Sequence, residues 1–256
     1  MQKEKQSFWF EITKQDQYVA VNELMEEDKD QVTYFILLIL SSIIISAGVL
    51  LANSAILIGG MLITPLLTPV LLVGLGFTLG NYHLIQKSVL KIAKSIGIVF
   101  AVSVIAAVIF GVPENKEFFN SAIFADTTKS AFLYFLVAFS AGIAATYAWI
   151  RKKVDNMLPG ISIAVSLVPP VSMVGIFLGR DPELMRFFLM VFLFNMVGII
   201  GGSMILFSLF KFYNSSNIVQ KNIEDSEKEN MEAKEKKKQE QIEASMETIT
   251  ILEDKK

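Results

Sequence analysis

The chain is 256 residues long and 53% apolar, with 20 Phe and a mean hydropathy of +0.51. Its 23 basic and 25 acidic residues lie almost entirely outside the long apolar runs, which excludes a large soluble core and implies an all-α integral membrane protein. A net charge of −2 says little about partners and gives no reason to expect nucleic acid, and the absence of cysteine excludes disulfides, thiolate metal sites and cysteine nucleophiles.

Residues 1–30 form a charged leader interrupted by Phe8, Trp9, Phe10, Ile12, Tyr18, Val19 and Leu24. Phe8, Ile12 and Val19 share one helical face, as in an amphipathic helix lying at a membrane surface. The first apolar run follows this leader and is long enough to span, so no cleaved signal peptide is expected. A membrane domain over 31–212 then reads as six spans, at 32–51, 53–81, 89–110, 130–150, 158–179 and 186–210. Only Ala52, Asn53 and Ser54 separate the first two, which makes them antiparallel neighbours. His83, the single histidine, sits in a polar link with Lys87, Lys91 and Lys94 and reads as a solvated side chain. Phe118, Phe119, Ile123 and Phe124 in the link 111–129 suggest a short interfacial helix. Residues 213–256 form a charged tail, helical or partly disordered, with Ile242, Met246 and Ile249 as a short apolar stripe.

Six spans put both ends on one side of the membrane. Nineteen of the 23 basic residues fall on the side of the ends and four on the other, so both termini are expected to be cytoplasmic.

Two spans are interrupted by proline. In the second, Pro65 and Pro69 cannot donate to the carbonyls of Met61 and Pro65; in the fifth, Pro169 and Pro170 free those of Val165 and Ser166. In lipid, unpaired carbonyls are costly, whereas facing other helices or a polar cavity they are tolerated. Either the prolines merely kink packed helices, with Thr64 and Thr68 satisfying the freed groups, or they build a site. Paired interruptions in corresponding halves point to the second reading and to a 3+3 inverted repeat.

The run NSAILIGGMLITPLLTP at 53–69, with PGISIAVSLVPP at 159–170 and FNMVGI at 194–199, resembles the domain of unknown function 389 family across most of residues 32–210. That resemblance implies a prokaryotic, polytopic protein of the inner (plasma) membrane, from a family without an agreed activity. Many relatives carry a longer soluble domain before the first span, and this chain departs from them with its short leader.

No Asp, Glu, Lys or Arg is expected at depth, which argues against a carboxylate proton relay, an activated serine or any other enzyme. What remains is neutral: Thr64, Thr68, Ser162, Ser166, Ser172, Asn195 and Ser203, with the carbonyls that Pro65, Pro69, Pro169 and Pro170 release. Hydroxyls and carbonyl dipoles can replace a small ion's hydration shell without fixed charge. Each hydroxyl could equally bond back within its own helix, and Asn195 could be interhelical glue. The pairs Gly76/Gly80 and Gly198/Gly202, with Ala138, Ala141, Gly142 and Ala145, form smooth faces suited to close helix packing and to a homo-oligomer. The expected function is a channel or transporter for an ion or small polar solute, with the second and fifth spans as pathway and with no cofactor or metal. The alternative is a structural or signalling membrane protein acting through its cytoplasmic ends.

Overall fold

Side-chain caps start most of the helices. In a computed structural model that describes residues 12–28, 30–112, 127–151 and 157–215, with backbone alone for 127–131, 157–166 and 214–215, the described residues form eight α-helices and no strand. Thr13 accepts from the Asp16 amide and Asp16 accepts from the Thr13 amide, a capping box that opens α1 (Lys14–Glu27). Asp30 caps α2 (Gln31–Leu50) and Asn53 caps α3 (Ser54–Ile63), whereas α4 (Leu67–Leu79) starts with no side-chain cap. Asn81 caps α5 (Tyr82–Phe110); α6 (Thr127–Arg151) and α7 (Met157–Ile176) follow, and Asp181 caps α8 (Pro182–Leu209). The expected interfacial helix at Phe118–Phe124, Phe8 and Trp9 of the leader, and the tail beyond residue 215 lie outside the described residues.

Four helices or parts of helices, Gln31–Leu50, Tyr82–Phe110, Phe132–Arg151 and Pro182–Leu209, are long and apolar enough to cross a membrane; α3 and α4, bent by 58°, make a fifth segment when taken together. On that measure the chain is a membrane protein. The stretch Leu167–Ile176 of α7 is apolar but shorter.

The fifth predicted span is not broken. Helix α7 runs without interruption from Met157 to Ile176 with Pro169 and Pro170 inside it. Proline's fixed φ near −65° fits a helix, so what is lost is local bonding, and neighbouring helices can hold the backbone through that gap. Residues 167–173 are all buried, and α7 packs on α2, α3, α4, α5, α6 and α8. The matched interruptions that pointed to an inverted repeat are therefore absent.

Packing is closest between α6 and α8. A Cβ on Gly198 would lie 2.9 Å from the Phe135 carbonyl, and Gly142 and Gly202 press just as hard on the backbones of Ile199 and Phe139. Gly76 likewise seats α4 on Ile85, but Gly80 has nothing within 4 Å of such a Cβ. Gly80 is the left-handed C-cap of α4, φ 65°, and makes a turn instead of a packing face. Buried hydroxyl pairs pin helices across the bundle: Tyr34 to Ser95 at 2.8 Å, Ser46 to Ser103 at 2.9 Å and Thr146 to Ser203 at 3.0 Å.

Helix α1 straps one end of this bundle. Ala20, Val21, Leu24 and Met25 are buried beneath it, Gln17 Nε2 donates to the Phe210 carbonyl at 2.8 Å, and the Trp149 indole donates to the Ala20 carbonyl at 3.2 Å.

Candidate functional site

The break between α3 and α4 falls opposite the middle of α2. Helices α2 and α3 run antiparallel, with Gly48 against Leu57 and Gly60 against Ile45, so Thr64 lies beside Ser41, midway along α2. At 1.5 Å per residue, α3 covers about 15 Å, roughly half of a bilayer's hydrocarbon core. Thr64 precedes a proline and takes the extended conformation that such a residue favours, φ −71° and ψ 121°.

The local bonding differs from expectation. Met61's carbonyl is not left open, because the Thr64 amide reaches it at 3.3 Å in a tightened last turn, while the Thr64 hydroxyl bonds back to the Gly60 carbonyl at 3.2 Å. Pro69 is the third residue of α4, where a helix has no internal partner for an amide, so its missing N–H costs nothing. No described group donates a close hydrogen bond to the carbonyl of Thr64 or Pro65. Both residues are half-buried. Of the two acceptors that the proline spacing frees, Met61 is closed and Pro65 stays open, joined by Thr64.

One side of the break is dry. Leu66, Ile92, Ile96, Val99, Leu167, Val171 and their neighbours enclose a void of about 10 Å³ lined only by apolar side chains, at the lower limit for a single water. Helix α4 is buried all round, each of residues 68–76 being inaccessible, whereas α3 buries only Gly60 and Met61 and exposes Ile58, Leu62 and Ile63. The half-exposed break therefore joins a buried helix to one whose flank is open.

At the foot of the break sits an ionic cluster that sequence reasoning missed. Lys91, expected in a polar link, is on the third turn of α5 and 5% exposed; its ammonium donates to Asp28 Oδ1 at 2.8 Å and to the Asp28 carbonyl at 3.1 Å, 4.1 Å from the Tyr34 ring centroid. Lys87 approaches the other Asp28 oxygen at 3.3 Å. The Thr68 hydroxyl, at the uncapped start of α4, bonds the Glu27 side chain. Although Glu27 is exposed as a residue, crowding of its carboxyl by protein raises its pKa above the usual carboxylate value, against the opposing pull of Thr68 and Lys91. The charges of Asp28 and Lys91 are therefore buried, although both lie at the ends of the apolar runs. Asp28 looks like leader and Lys91 like link, and the one available signal was the i, i+4 spacing of Lys87 and Lys91 on a single helical face.

Other expected residues fall elsewhere. Asn195 is buried in α8 and Ser172 in α7, where the Ser172 hydroxyl has no partner. Ser203 pairs with Thr146, and the side chains of Ser162 and Ser166 lie outside the description. Among the described residues no group of three or more His, Asp or Glu could hold a metal ion.

The family described as Domain of unknown function (DUF389) matches residues 61–201, a stretch that holds the break, the ionic Lys91 and the tight α6–α8 face. An uncharacterized protein of Methanocaldococcus jannaschii is 30% identical over 176 residues, 68% of this chain and 53% of that protein, so the chain spans about half the length of the curated relative it matches. No solved structure matches. With more than half its length matched, the chain belongs to the DUF389 family.

Proposed function

We propose that the protein is a channel or transporter that lets an ion or small polar solute cross a prokaryotic plasma membrane at the break in its second span. In this reading α7 also crosses, which makes six spans, both ends of the chain are cytoplasmic, and α1 with the ionic cluster sits at the cytoplasmic mouth. The single observation that carries it is a pair of open main-chain acceptors, Thr64 and Pro65, at half depth on a partly exposed stretch of non-helical backbone. Irregular backbone at that depth is tolerated only against protein or a wet cavity. Because the inner side is dry and α3's flank is open, the pathway runs along the outer side of α3, closed by a second copy of the chain. The lining favours a cation at the carbonyls.

Purified protein in liposomes tests this with potassium, sodium and chloride as probes. Wild type should pass one of them. Pro65→Ala, which restores a donor at residue 65 and lets the two helices join, should abolish flux while circular dichroism shows an unchanged helix content. Flux that survives Pro65→Ala at the wild-type rate, or no flux of any tested ion, would sink the proposal and favour a structural role exercised through the ends of the chain.

A further inference from the structure

Between α2 and α5, on the membrane-facing surface, a groove of about 400 Å³ is lined by Phe35, Lys94, Gly97, Ile98 and Ala101. The four α5 residues recur at i, i+3, i+4 and i+7 and so form one stripe along that helix. Gly97 makes the indentation, since a Cβ there would meet nothing within 4 Å, and Phe35 forms the opposite wall.

Its charge is confined to one end. Lys87 and Lys91, two turns and one turn nearer the start of α5, are both engaged by Asp28, while Lys94 is exposed and has no ion pair among the described residues. From Lys94 the groove runs toward Ala101 for about 10 Å along α5, away from the end that α1 straps. A cation at the end nearer α1, followed by an apolar channel leading toward mid-depth, matches a lipid of the leaflet on α1's side, with its phosphate at the surface and its acyl chain inward.

We infer that this groove binds one anionic phospholipid, the phosphate on Lys94 and an acyl chain along Gly97, Ile98 and Ala101 against Phe35. The site is separate from the break and does not depend on transport. Native mass spectrometry of the full chain in detergent, titrated with dioleoylphosphatidylglycerol or dioleoylphosphatidylcholine, reads it directly. Wild type should retain the anionic lipid at about fivefold lower concentration than the neutral one, the preference expected for one lysine at a lipid surface. Lys94→Gln should erase that preference and leave phosphatidylcholine retention unchanged; Gly97→Phe should reduce retention of both lipids. If Gly97→Phe does not fold, Ala101→Phe fills the same groove from an exposed position. A preference that persists in Lys94→Gln, or that falls equally in the exposed-charge control Lys14→Gln, would overturn the inference. So would a wild-type dimer that the groove-filling variants convert to monomer, because a second copy would then be the occupant.

Discussion

Two apolar segments of this protein each carry two prolines, and only one of them breaks. In the second span the prolines are four residues apart, so Pro65 ends α3 and Pro69 falls in the first turn of α4, where no amide is needed. Thr64 is half-buried and beside the open flank of α3, so it can relax into the extended form that a following proline favours. In α7 the prolines are adjacent, and Val168 before them is 1% exposed, surrounded by side chains that would have to move for the helix to bend. Proline marks where a membrane helix can open; the packing around it determines whether it does.

Four changes probe this contrast. The largest effect is expected at the foot of the broken span: Asp28→Ala leaves the Lys91 ammonium buried without its partner and should cost about 3–5 kcal/mol in detergent-solubilised unfolding. Next, Gly175 seats α7 on α5, where a Cβ would lie 2.9 Å from the Phe100 carbonyl. Gly175→Val should wedge α7 outward and destabilise by about 1–3 kcal/mol, with increased protease cleavage near Pro169 if packing is what keeps the helix continuous. Pro169→Ala supplies a donor for the Val165 carbonyl within an already helical segment and should raise stability by about 1 kcal/mol, with flux unchanged, in contrast to Pro65→Ala. The smallest effect concerns Glu27. Its pKa is raised in the fold, so the native state binds more protons between the ordinary value of 4.5 and the raised one, and stability is lost as pH rises through that window. Glu27→Gln should flatten this slope in thermal melts from pH 4 upward and leave stability at acid pH nearly unchanged.

Much of this was legible in the sequence for local reasons. Long uncharged runs mark membrane helices, and Asn53, Asn81 and Asp181 announce helix starts through their side-chain oxygens. The break at Thr64-Pro65 was also legible, because steric conflict before proline acts between adjacent residues. The continuity of α7 was not, because it depends on six other helices whose arrangement no local pattern encodes. Nor was the Asp28–Lys91 pair, whose members lie 63 residues apart in stretches that each read as solvated. Gly80 shows the same limit on a smaller scale: its spacing from Gly76 fits a packing motif, while its backbone angle makes it a turn.

The strap formed by α1 bears on how the protein is assembled. Gln17 holds the carbonyl of Phe210, a partner 193 residues further along the chain, and Trp149 holds Ala20 across 129. During synthesis α1 leaves the ribosome before the helices it packs against, but its binding surface is completed only after α8 has been made. A segment made before the membrane helices is thus among the last to dock, and its closure over the bundle waits for the end of α8.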